Sequence, residues 1–277
     1  MVIPVYLKIF GIPKKITGKQ LKELTMAKNK NLKEFETFSF EILDEIAIFT
    51  FKGKTLFNAA GLFDMDHIAN TFRECADDNK IKVIVIKRSP EKKDPHEYHE
   101  FVQHVLHSRD KLSLYRMLNF FSRLIMEVYS QKRFVISVDS GEVVAQFFNL
   151  SLACDYRIIA DNTVIHKEYL RNRVVPKGGA TYFLSHIVGK PKAYEILLSD
   201  KSITAQEALD WGLVNEIAPF SKLEEATMKR ALEFAKVPEG TLTGIKKLMN
   251  YSVAELERYL SFENDIITRI YSQLTLD

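Results

Sequence analysis

Cysteine is scarce in this sequence: Cys75 and Cys154 stand far apart among 277 residues. So few thiols, one of them inside the apolar run LSLACDYR, exclude a disulfide-framed fold and a cysteine-rich metal site, and they fit a reducing compartment. An excess of one charge is also lacking. Lys and Arg number 39 against 36 Asp and Glu, a net of +3, so charges compensate locally and no nucleic-acid partner is expected. No apolar run approaches the roughly 20 residues of a membrane-spanning helix, and no membrane partner is expected either. The opening MVIPVYLKIFGIPKK has neither a leading basic region nor a small-residue cleavage site, so the expectation is a cytoplasmic protein. Repeats and low-complexity segments are missing as well.

What is present is apolar material, 46% of the residues, enough for one large domain or two modest ones with a sizeable core. Residues 1–36 read as a basic extension, in which TGKQLKELTMAKNKNLKEF suits a short amphipathic helix capped by Thr17. FSFEILDEIAIFTF alternates apolar residues about Leu43-Asp44-Glu45 and predicts a hairpin. The rhythm then changes. Helical spacing through FDMDHIANTFRECADD leads to KVIVIKR, a helical region from Pro95 to Gln131 leads to FVISV, and a further segment leads to DYRIIAD. Continuously apolar strands alternating with helices predict βαβ crossovers and a buried parallel sheet. The α/β core is placed at 37–200 and a mainly helical region at 201–277.

One segment conflicts with its surroundings. SGEVVAQFFNLSLACD is built to be buried, yet it carries Gln146 and Asn149. Downstream, the sequence resembles the crotonase (enoyl-CoA hydratase/isomerase) superfamily at Cys154-Asp155-x-Arg157, at Glu168, at the Pro-x-Gly-Gly turn of 176–179 and at the helix AQEALDWGLVNEIAP ending in Pro219. Weaker agreement runs over about residues 38–265. The resemblance implies a crotonase-like ββα spiral core, trimers often paired into hexamers, and an acyl-CoA substrate held with no permanently bound cofactor, coenzyme A entering as part of that substrate. It also implies two backbone N–H donors for an enolate-like oxyanion. Such charge is best met by preorganised donors in a water-poor site at a helix N-terminus.

The family places its second donor in a Gly-Gly-Gly turn, on which Ala145, Gln146 and Phe147 fall. Gln146 keeps its backbone N–H, while its side chain either turns aside or fills the pocket. Asn149 stands where two-acid hydratases carry their first glutamate, and a carboxamide cannot exchange a proton near neutral pH. Glu168 falls on the other acidic position; its alternative is a surface or salt-bridged carboxylate. SPEKKDPHEYHEF replaces the family's first donor loop, and Asp94-Pro95-His96-Glu97 reads as a helix start. Matching Glu97 to the family's aspartate makes His96 the donor and Tyr98 a neighbour for substrate.

His96, His99, Glu100, His104 and His107 share a helical stretch, but HEYH is not the HExxH of a zinc enzyme, and an exposed polar helix with no metal is the expectation. Asp155 and Arg157 are expected to hold strands together. Lys246 and Lys247 are either solvated or face a CoA phosphate. Two functions remain open: single-acid, isomerase-type chemistry through Glu168, favoured over two-glutamate hydration, and a catalytically inactive binding or assembly protein on the same fold.

Overall fold

The computed structural model describes residues 32–52, 62–88, 111–167 and 169–274, within a compact unit of Leu32–Asp277. The predicted hairpin forms from β2 (Phe38–Leu43) and β3 (Ile46–Phe51), with β1 (Lys33–Glu34) antiparallel on its outer edge. Asp44 turns it at φ 53°, a left-handed conformation that Asp tolerates because its short side chain bonds locally.

Crossovers follow. Helix α1 (Leu62–Asp77) leads to β4 (Val83–Arg88), and α2 (Lys111–Tyr129) leads to β5 (Phe134–Asp139). The short β6 (Glu142–Val144) runs straight into α3 (Ala145–Leu152), and β7 (Tyr156–Ala160) returns to the sheet. From β3 through β4, β5 and β7 every pairing is parallel. Val83, Ile84, Val85 and Ile86 are all buried, as expected of a strand covered on both faces.

After β8 (Val164–His166) the chain is mainly helical: α4 (Ala180–Ile187), α5 (Gly189–Leu197), α6 (Ala205–Asp210), α7 (Leu223–Ala235), α8 (Glu239–Met249) and α9 (Val253–Leu274). Two short strands interrupt this region. β9 (Ile203–Thr204) joins β6 and β8 in a small second sheet, and β10 (Glu216–Ala218) extends the main sheet beside β7. Two- and three-residue strands are too short to leave a period in the sequence.

Buried polar groups anchor these layers. The Asp155 carboxylate accepts from Val135 N–H at 2.7 Å and from Lys246 Nζ at 2.6 Å, while Arg157 donates to the Leu213 and Cys154 carbonyls at 2.7 and 2.8 Å. Both residues hold strands, as expected. Lys246 is not available to a CoA phosphate: its side chain is buried beneath α8, where it also donates to the Arg133 carbonyl at 2.8 Å. Among the described residues no helix is long and apolar enough to cross a membrane.

Candidate active site

The site is built where β5, β6 and α3 succeed one another. Val144, the N-cap of α3, is extended at ψ 152° and supplies no side-chain acceptor to the helix. The N–H groups of the first turn, those of Ala145, Gln146 and Phe147, have no partner one turn earlier in the helix and carry its positive end. Ala145 and Phe147 are buried and Gln146 is half-buried. The Arg88 guanidinium lies over the Phe147 ring, 5.2 Å from its centroid. Gln146 Oε1 is enclosed without a hydrogen-bond partner among the described residues. The carboxamide therefore turns into the protein, at the cost of an unsatisfied acceptor.

One turn further, Asn149 is buried. Its Nδ2 donates to the Lys177 carbonyl at 2.6 Å and to the Tyr169 hydroxyl at 3.2 Å, and that hydroxyl lies 3.3 Å from Asn149 Oδ1 as a donor. Tyr169 is itself buried, and desolvation pushes its phenol above the ordinary range. A phenol that resists ionisation and a carboxamide that cannot ionise face one another. The partner of Asn149 is thus Tyr169, a residue not singled out in the sequence. Glu168, His96 and Tyr98 lie outside the described residues, as does the stretch containing His99, Glu100, His104 and His107.

The Lys177 carbonyl reaches Asn149 from the Pro-x-Gly-Gly turn, which α9 clasps from the other side. Both Gly178 N–H and Gly179 N–H donate to the Glu263 carboxylate at 2.9 Å. Lys177 Nζ joins it at 3.0 Å and donates to Ser122 Oγ at 2.8 Å. Burial lowers the Lys177 pKa, and the Glu263 charge opposes that shift. The two glycines have φ of 81° and 75°, and a Cβ on Gly179 would come within 2.9 Å of the Phe183 ring. Only glycine fits that turn without strain.

At the carboxyl ends of β4 and β5, Arg88 Nε donates to Asp139 at 2.8 Å, and Ser151 Oγ donates to the other Asp139 oxygen at 2.6 Å. These residues, with Phe51, Phe147 and Cys154, line a narrow pocket beside α3. Chemically, the described part of the site offers backbone donors and a paired cation near α3, and at Asn149 a neutral hydrogen-bonded pair. Among the described residues no three His, Cys, Asp or Glu side chains gather as metal ligands.

The model of the Enoyl-CoA hydratase/isomerase family matches residues 41–276. The fold is similar to that of enoyl-CoA hydratase from Bacillus halodurans, at 19% identity over 87% of this chain and 97% of that one, with a TM-score of 0.76. It is also similar to an enoyl-CoA hydratase from Mycobacterium avium subsp. paratuberculosis K-10, at 20% identity over 84% and 89% of the two chains and a TM-score of 0.70. For an enoyl-CoA hydratase/isomerase from Cupriavidus metallidurans CH34 the values are 22%, 87%, 89% and 0.68.

Proposed function

The chain belongs to the enoyl-CoA hydratase/isomerase family, and from that premise we propose that it binds an acyl-CoA thioester without carrying out hydration. The observation that carries this reading is the Asn149–Tyr169 contact, a carboxamide on a buried phenol. Hydration by general acid and base needs groups that gain and lose protons near the working pH. Neither member of this pair does so. Asn149 is further held by the Lys177 carbonyl, so it is not free to orient a water.

Binding is supported by what the site keeps. The first turn of α3 presents N–H groups at the positive end of a helix, the Gln146 N–H among them, suited to a thioester oxygen. In this reading the His96 N–H is the second donor, Ala145, Phe147 and Tyr98 border the acyl group, and coenzyme A enters only as part of the ligand. A homotrimer or hexamer goes with it, and the exposed apolar side chains of Leu248, Met249 and Tyr251 at the end of α8 support such an assembly. Calorimetric titration with coenzyme A and a series of acyl-CoA thioesters tests the reading. It expects saturable binding with no hydration product formed; absence of binding to every thioester overturns it.

A further inference from the structure

Next to this site, and outside it, three side chains form a hydrogen-bonded relay. His166 Nε2 bonds Glu142 Oε2, and Ser202 Oγ lies 3.1 Å from His166 Nδ1. The small sheet explains the alignment. β6 and β8 pair in parallel with Val144 opposite His166, while β8 and β9 pair antiparallel with Ile165 opposite Ile203. The same register, carried one residue on, sets Ser202 beside His166. Val144, His166 and Ser202 therefore form one row across the sheet, and Val144 is the N-cap of α3.

We propose that Ser202 is a nucleophilic hydroxyl, activated by His166 and oriented through Glu142, that accepts the acyl group of a thioester or activated ester. The tautomer follows from the partners. A carboxylate only accepts, so Nε2 carries the ring proton toward Glu142 and Nδ1 is left as the acceptor for the serine proton. A nucleophile, a base within hydrogen-bond reach and a third group holding the base are the recurring parts of an acyl-accepting serine, recognised by geometry and not by sequence order. Solvent and substrate can reach it: the His166 side chain is 21% exposed and that of Glu142 47%, and Ser202 is half-buried.

The step balances without a further reagent. Ser202 Oγ bonds to the carbonyl carbon, its proton passes to His166 Nδ1, the carbon–sulfur bond breaks, and the thiolate leaves with that proton. Water then attacks the acyl-serine carbonyl carbon and gives a proton to His166 Nδ1, the bond from that carbon to Ser202 Oγ breaks, and Oγ recovers the proton as the free acid leaves. With Asn149 unable to take up a proton, this row supplies a base that position 149 does not.

The chemistry stands apart from acyl-CoA binding, and only the choice of a CoA thioester as substrate rests on that reading. A fluorophosphonate probe, which contains no coenzyme A, therefore separates the two. The full-length protein is treated with the probe and the adduct mapped by peptide mass spectrometry. An adduct on Ser202 is expected, lost in Ser202→Ala, slowed on the order of 10²-fold in His166→Gln and unchanged in Ser199→Ala. Absence of an adduct at Ser202 in protein with native circular dichroism, or labelling as fast in His166→Gln as in wild type, overturns the proposal and leaves the relay a pin between strands.

Discussion

Asn149 and Tyr169 meet side chain to side chain in the interior, carboxamide nitrogen and oxygen 3.2 and 3.3 Å from one phenolic oxygen. The contact leaves position 149 without a proton to exchange and also supports the fold. Asn149→Ala leaves the Lys177 carbonyl and the Tyr169 hydroxyl without their partner, and each buried polar group so orphaned costs about 1–3 kcal/mol. Urea denaturation of the variant is expected to show a lowered midpoint with an unchanged slope.

Glu263 gathers two backbone N–H groups and the Lys177 ammonium in a buried clasp. Glu263→Ala removes the anion and leaves the cation buried, a change that costs about 3–5 kcal/mol in such pairs. A parallel stability curve, with no loss of midpoint, contradicts the clasp.

Gly179→Ala acts on the same turn through sterics. A left-handed residue with a Cβ costs about 1–2 kcal/mol, and here that Cβ also presses on the Phe183 ring. Thermal unfolding should show a drop for Gly179→Ala and none for Gly240→Ala, where a Cβ meets nothing within 4 Å and alanine favours the helix.

Gln146→Leu goes in the opposite direction. It removes the enclosed, unpartnered Oε1 and keeps an apolar side chain of similar length, so the free protein gains on the order of 1 kcal/mol. A destabilised Gln146→Leu protein would mean that the carbonyl has a partner.

The capping box at α6 predicts a pH dependence. Thr204 N–H donates to the Glu207 carboxylate at 2.9 Å, and bonds from the Thr204 backbone and side chain hold the carboxyl below its usual range. Between the folded and unfolded values the unfolded chain binds more protons, so stability rises with pH there. The contribution is complete above the unfolded carboxyl value and disappears as pH falls through the lower folded one. The difference in unfolding midpoint between wild type and Glu207→Gln should therefore be present at pH 7 and vanish under strong acid.

Much of this architecture was legible in the residues. Continuously apolar KVIVIKR and FVISV announced buried parallel strands, the alternation around Asp44 announced the hairpin, and Cys154-Asp155-x-Arg157 with the Pro-x-Gly-Gly turn pointed to the family. Asn149 signalled the loss of an acid by its side chain alone. Its partner did not: residues 169–173 form turns, where no helical or strand period says which side chain points inward. Glu263 escaped for another reason. It lies 86 residues from Lys177 in sequence, and an acidic residue on a long amphipathic helix reads as solvated until the helix is docked. Lys246 misled in the same way, since burial of its head depends on Asp155 across the fold.

The central claim, that position 149 of this fold has lost proton transfer and with it hydration, is most directly tested by proton NMR of crotonyl-CoA with the protein in D2O. The account predicts that crotonyl-CoA gains no water above the protein-free rate. Hydration by the wild-type protein above that rate, abolished in Glu168→Gln, would contradict it and establish single-acid catalysis through Glu168.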